Sequence, residues 1–170
     1  MLVAVSDTHG RENHRLKRRT LTAVREADRV IHAGDFYRPA VLDAFLAEND
    51  AVYGVTGNND DGDLRDRLPE ERVVAYEGVT FAVRHRSRSG TTGLALFGRE
   101  RDADAVVFGH SHRPTVERLD DITLVNPGSH AQPRGNRAAH AEFRPTDDGL
   151  DGRLVTTDGT VFEEFRIHPD

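Results

Sequence analysis

Seven side chains able to bind a divalent cation stand just beyond short apolar runs of this chain. Asp7 and His9 follow Leu2 to Val5, and Asp35 follows Val30–Ile31 by way of Gly34. Asn58 follows Ala51 to Val55, His85 follows Val79 to Arg84, and His110 and His112 follow Asp104 to Phe108. There is no cysteine, so any metal here must be held by nitrogen and oxygen. Mixed imidazole and carboxylate donors suit Mn, Fe, Zn, Co or Ni better than Ca. An Asp-x-His pair is weak evidence alone, because it is common by chance. The weight lies in the repetition, with donors following five separate runs.

Those runs must be strands for the donors to meet. Arg11 to Asp28 carries Leu16, Leu21, Val24 and Ala27 at near-helical spacing and predicts an amphipathic helix. A strand at Arg29 to Ala33 follows, then a helix over Ala40 to Glu48 with Pro39 in its first turn, then a strand over Ala51 to Val55. Such repeats predict βαβ units and a largely parallel sheet, hence an α/β fold. A hairpin (Arg72 to Ala75 and Val79 to Arg84, about Glu77-Gly78), a helix (Thr91 to Arg101) and a buried strand (Asp104 to Phe108) come next. A second hairpin pairs Thr115 to Leu119 with Ile122 to Val125, and strands at Ala138 to Arg144, Arg153 to Thr157 and Thr160 to Ile167 close the chain as antiparallel sheet. In open α/β sheets, loops past the carboxyl ends of the strands share one rim, where ligands bind. Asp35, central in the strand order, could then bridge two ions about 3.5–4 Å apart, a clamp suited to phosphoester hydrolysis.

Composition narrows the classes. At 170 residues one domain, 1–170, is expected, with room for a substantial core. No apolar run approaches a bilayer span, and the start lacks the basic region of a signal peptide, so a soluble cytoplasmic chain without a membrane partner is expected. A net charge of -6 does not suit a protein that coats nucleic acid. Lys17 is the only lysine among 23 basic residues, a bias that either a high-salt cytoplasm or a GC-rich genome would produce. Oligomeric state is not readable.

The ordered set Asp7-x-His9, Gly34-Asp35, Gly57-Asn58-x-Asp60, His85 and Gly109-His110-x-His112 resembles the calcineurin-like metallophosphoesterase superfamily. The short length and the Asn126-Pro127-Gly128-Ser129 loop followed by Pro133-Arg134 resemble its small YfcE/MJ0936-type phosphodiesterases. The resemblance implies a four-layer α/β/β/α sandwich and two divalent ions, manganese first, with nickel, zinc, cobalt, iron or magnesium as alternatives. It implies one ion on Asp7, His9, Asp35 and His112, and the other on Asp35, Asn58, His85 and His110. A hydroxide bridging them would attack a small phosphoester in line with the leaving group. Asp35 and Asn58 are then catalytic, together with Asp60, which is expected to accept loop hydrogen bonds and orient Asn58. A phosphomonoesterase or nucleotide phosphatase, or a non-catalytic scaffold like Vps29, are the alternatives.

This chain departs from the pattern twice. Asn59 stands where many members have a histidine that protonates the leaving group, which predicts poor action on poor leaving groups. Around His85 the sequence reads Arg84-His85-Arg86-Ser87-Arg88, where the subgroup has His-Gly-His. The arginines could contact substrate phosphate, but a solvated strand end is the favoured reading. Of the other histidines, His32 reads as a packed strand residue and His130 as a lesser candidate for the site wall. His14, His140 and His168 read as surface. Asn126 is expected to support the His110 loop, or simply to form the turn before Pro127.

Overall fold

The computed structural model describes residues 1–169. In chain order the elements are β1 (Leu2–Val5), α1 (Arg18–Glu26), β2 (Arg29–His32), α2 (Pro39–Glu48), β3 (Val52–Gly54), α3 (Gly62–Arg67), β4 (Glu71–Tyr76) and β5 (Val79–Arg84). They continue as α4 (Gly90–Arg99), β6 (Ala105–Val107), β7 (Thr115–Leu119), β8 (Ile122–Asn126), β9 (Ala139–Thr146), β10 (Gly149–Thr156) and β11 (Val161–Ile167). Two mixed sheets form, with strand orders β11-β10-β9-β1-β2-β3 and β4-β5-β6-β8-β7. β1, β2 and β3 run parallel in the first, and β5, β6 and β8 in the second.

Period-two alternation sorts the apolar residues into three cores, which are the three interfaces of an α/β/β/α sandwich. In β1, Leu2 and Ala4 face the core between the sheets, with Phe81, Val107 and Phe143. Val3 and Val5 face the other way, against Val24 of α1, Val41 and Phe45 of α2, and Leu64 of α3. On the outer face of the second sheet, Ala82, Val106 and Leu124 pack against Leu94, Ala95 and Phe97 of α4. Each large side chain buried this way contributes about 1.5–3 kcal/mol. A strand covered on both faces needs the continuous apolar run that marks β1. Among the described residues no helix is long and apolar enough to cross a membrane.

The structure corrects several expectations. α1 begins at Arg18, not near Arg11. Before it, Asn13 Oδ1 accepts from the Arg15 amide and His14 Nδ1 from the Leu16 amide. These local turns compete with the helix, although Leu16 still reaches the core. α3 was not expected: it offers a single buried apolar residue, Leu64, and is started by Asp61, whose side chain accepts from the Leu64 amide. β10 starts at Gly149 rather than Arg153, because Gly152 belongs to the strand and lies so close against the Phe165 ring that a Cβ would collide with it.

His140 is fully buried, contrary to its reading as a surface residue. The polar face of β9 is roofed by α1. His140 contacts Thr20 Oγ1 through Nδ1 (3.0 Å) and Glu142 Oε1 through Nε2 (3.0 Å), while Arg19 donates to Glu142 at 2.7 Å. Burial alone would push Glu142 up, but the hydrogen bonds from His140 and Arg19 bring it from 4.5 down to about 2. A lowered carboxylate stabilises the fold fully above its unfolded value and loses that contribution as pH falls toward its folded one. Glu142→Gln is therefore expected to cost about 2 kcal/mol in urea unfolding at pH 7. Its deficit against wild type should shrink between about pH 4.5 and 2. A deficit unchanged across that window would refute the ion-pair account.

Candidate metal centre

All six parallel strands end at one rim, three from each sheet. β1 delivers Asp7 and His9, β2 Asp35, β3 Asn58, β5 His85, and β6 His110 and His112. Hydrogen bonds beyond the strands hold the loops in register. The amides of Asp7, His9 and Gly10 donate to the carbonyls of Gly34, Asp35 and Phe36, and the Gly109 amide to the carbonyl of His85. Asp7, His9, Asp35, His110 and His112 all have positive φ, between 46° and 74°. Asp and His tolerate this left-handed region better than most residues, yet each such position still costs about 1 kcal/mol or more.

The ligand atoms converge. His9 Nε2 and His85 Nε2 each lie 3.3 Å from Asp35 Oδ2, and His112 Nε2 lies 3.3 Å from Asp7 Oδ1. Asp7, His9 and His112 offer atoms within 4.8 Å of one another, and so do Asp7, Asp35 and His85. Asp7 thus reaches the second group as well as the first, a sharing that the resemblance assigned to Asp35 alone. His110 falls in neither group; its ring stands edge-on to His85 with centroids 5.4 Å apart. Asn58 is exposed at the mouth, beside His85.

The donor set fits a divalent cation. His9 Nε2 and His85 Nε2 are buried without a hydrogen-bond partner, even though a carboxylate oxygen is near. Buried polar atoms are almost always paired, and two orphaned ring nitrogens facing one carboxylate fit a role in ligating metal. The far sides of the rings are fixed. His85 Nδ1 contacts the Ala33 carbonyl at 2.7 Å and His112 Nδ1 contacts the Gln132 carbonyl, which leaves Nε2 of each as the free donor atom. Burial would raise Asp35, but His85, His9 and Asn59 hold it far below the usual carboxylate range. Burial would lower His9, but Asp35 and Asp7 outweigh it and lift His9 to about 9. Burial leaves His110 and His112 below their ordinary value.

Supporting groups came mostly from residues the motifs do not weight. Asn59, expected only as a missing acid, donates its amide N–H to Asp35 Oδ1 (2.8 Å) and its side-chain amide to Asp35 Oδ2 (2.7 Å). Ser6 donates to Asp7 Oδ2 at 2.7 Å, and the His110 amide reaches the same carboxylate. Asp60 accepts from the amides of Gly57, Tyr37 and Asp35. Its carboxylate thus ties the β3 loop to the β2 loop, with the loop hydrogen bonds expected of it. Asn126 holds the carbonyl of Gly109, as expected. His32 is packed, stacked on Phe36 and bonded to Thr8. His130 is buried against Phe45 with Nε2 on the His14 carbonyl and belongs to neither ligand group.

A two-sheet sandwich with imidazole and carboxylate donors at the shared strand ends defines a metallophosphoesterase fold. The calcineurin-like phosphoesterase superfamily domain matches residues 1–145, and the chain belongs to that family. A probable metallophosphoesterase of Methanothermobacter thermautotrophicus is 30% identical over 168 residues, covering 95% of each chain. Phosphodiesterase MJ0936 of Methanocaldococcus jannaschii is 28% identical over 137 residues, covering 73% of this chain and 80% of its own. Chaetomium thermophilum Vps29 shares the fold, with a TM-score of 0.80 at 15% identity over 99% of this chain and 97% of that one.

Proposed function

We propose that the chain is a divalent-metal-dependent phosphodiesterase acting on a small phosphoester at a centre of two ions. The observation that carries this reading is the convergence of the two orphaned nitrogens, His9 Nε2 and His85 Nε2, on Asp35. Asp7, His9, Asp35 and His112 would hold one ion, and Asp35, Asn58, His85 and His110 the other. Manganese is proposed first, because nitrogen–oxygen sites take several metals and availability decides among them. When bound, such ions neutralise phosphoryl charge and make water a competent nucleophile near neutral pH. The chain's own part is orientation. Asn59 and Ser6 fix the two carboxylates, and backbone carbonyls aim His85 and His112. Chelation followed by gel filtration is expected to abolish hydrolysis of bis(p-nitrophenyl) phosphate, and Mn2+ to restore it. Full activity in metal-free protein would sink the reading.

Leaving-group protonation is where this chain is poorly equipped. Asn59 has no useful pKa, and its amide is already committed to Asp35. General acids typically contribute about 10²–10⁴ in rate, so aryl diesters should turn over at least about a hundredfold faster than alkyl diesters. Comparable rates on the two would show that another group supplies the proton. The same assay with aryl monoesters separates a phosphomonoesterase. A scaffold in the manner of Vps29 would need an apolar docking face. Here the exposed large apolar side chains, Leu46, Val73, Leu96 and Val161, lie scattered over α2, β4, α4 and β11. No turnover of either ester at full metal occupancy would favour the scaffold.

A further inference from the structure

Beside the metal centre opens a cleft of about 660 Å³, within the range that admits a nucleotide-sized group. His85 and Asn58 line it, so it is continuous with the centre. Its walls carry Arg65, Arg84, Arg86 and Arg88 against a single acid, Glu70, in a chain whose net charge is -6. Arg84 is occupied by Glu71 at 3.0 Å and lies over the Phe97 ring. Arg65 donates only to the backbone carbonyls of Asp60 and Asn58. Among the described residues, no carboxylate lies within ion-pair reach of Arg65, Arg86 or Arg88, although acids outnumber bases in the chain and pair with many of its other arginines.

The wall has a second positive element. Ser87 and Ser89 line the cleft where α4 begins, and the first turn of this ten-residue helix carries no acid and no side-chain cap. The dipole of the helix favours an anion at that end. A merely solvated strand end would not gather three unpaired guanidinium groups and an uncapped helix start around one cavity that opens onto ligand residues.

We infer that this cleft is a subsite for a second phosphate, carried by the substrate beside the scissile diester and held by Arg86 and Arg88 with Arg65 opposite. The inference rests on the phosphodiesterase reading and names the substrate class for it: diesters bearing a further phosphate dianion. Arginine forks match phosphate oxygens in pairs, which a lone positive field would not require. Glu70 sets a limit, since it disfavours an anion spread over the whole cleft.

Calorimetry on the metal-free protein tests the subsite apart from catalysis. Thymidine 3′,5′-bisphosphate is expected to bind at least tenfold more tightly than thymidine 5′-monophosphate, with an advantage that shrinks between 50 and 200 mM salt. The advantage should disappear in Arg86→Gln/Arg88→Gln and diminish in Arg65→Gln, each checked for an unchanged melting temperature. Equal affinity for the two nucleotides, or a preference that survives the double variant, overturns the subsite. So does inorganic phosphate binding as tightly as the bisphosphate, which would make the cleft a free-phosphate site. Turnover is then read with thymidine 5′-(p-nitrophenyl phosphate), with and without a 3′-phosphate, in Mn2+. Hydrolysis of neither ester, with the calorimetric preference intact, overturns the phosphodiesterase reading and keeps the subsite. Hydrolysis of both at equal kcat/KM overturns the subsite and keeps the phosphodiesterase.

Discussion

Replacing Asp35 with Asn is expected to lower kcat/KM on an activated diester by at least about a thousandfold, some 4 kcal/mol of transition-state stabilisation. The divalent metal retained after gel filtration should fall with it. Asp35 is the carboxylate that both orphaned imidazoles face, and the one that Asn59 grips with two donors. Asparagine keeps the shape but loses the charge, and it turns an NH2 toward one donor where an oxygen had been. Metal content by elemental analysis and activity should fall together while the circular dichroism spectrum is unchanged. Wild-type metal content with wild-type turnover would show that Asp35 is no shared ligand and would falsify the proposed centre.

A glycine that touches no substrate should matter nearly as much. Gly57→Ala is expected to cost about a hundredfold or more in activity and several degrees in melting temperature. A Cβ there would collide with Asp35 Oδ1 and the Asp35 amide, and would lie 2.7 Å even from the carboxyl carbon. Either the β3 loop or the carboxylate must move. Gly109 is similarly enclosed, with Asp7 Oδ2 2.7 Å and His85 Nδ1 3.1 Å from its absent Cβ. Gly62, five residues beyond Gly57, meets nothing within 4 Å, so Gly62→Ala should stay within about 0.5 kcal/mol of wild type. If Gly57→Ala behaves like Gly62→Ala, close packing around Asp35 is not what positions it.

The donors were legible because parallel strands announce themselves. Buried on both faces, they must be continuously apolar, so the first polar residue after each run marks the rim. His85 and His112 were both expected beside Asp35; His85 lies 3.3 Å from it, whereas His112 stands 3.3 Å from Asp7 and groups with Asp7 and His9. What could not be read depends on elements remote in sequence. His-Ala-Glu in β9 has the alternation of a solvated face, and only α1, some 120 residues earlier, converts it into a buried one. Asn59 looked like the loss of an acid, because the pattern says what a residue is not and the fold says what it holds. For Asp60 the loop hydrogen bonds were foreseeable from its place after the motif asparagine, but not that its oxygens join two loops, through amides of Asp35, Tyr37 and Gly57. Of the arginines beside His85, Arg84 is paired with Glu71, and Arg86 and Arg88 could be assessed only once their lack of acidic partners was visible.

Four of the seven donors come from the first sheet and three from the second, and the hydrogen bonds of His85 to Ala33, His110 to Asp7 and Ser129 to Asp7 cross the seam between them. The apolar layer in that seam is therefore a distance gauge for the ligands. A cavity cut deep inside it, for instance at Phe81, would let one sheet slide on the other and detune the spacing at the rim without altering any residue there.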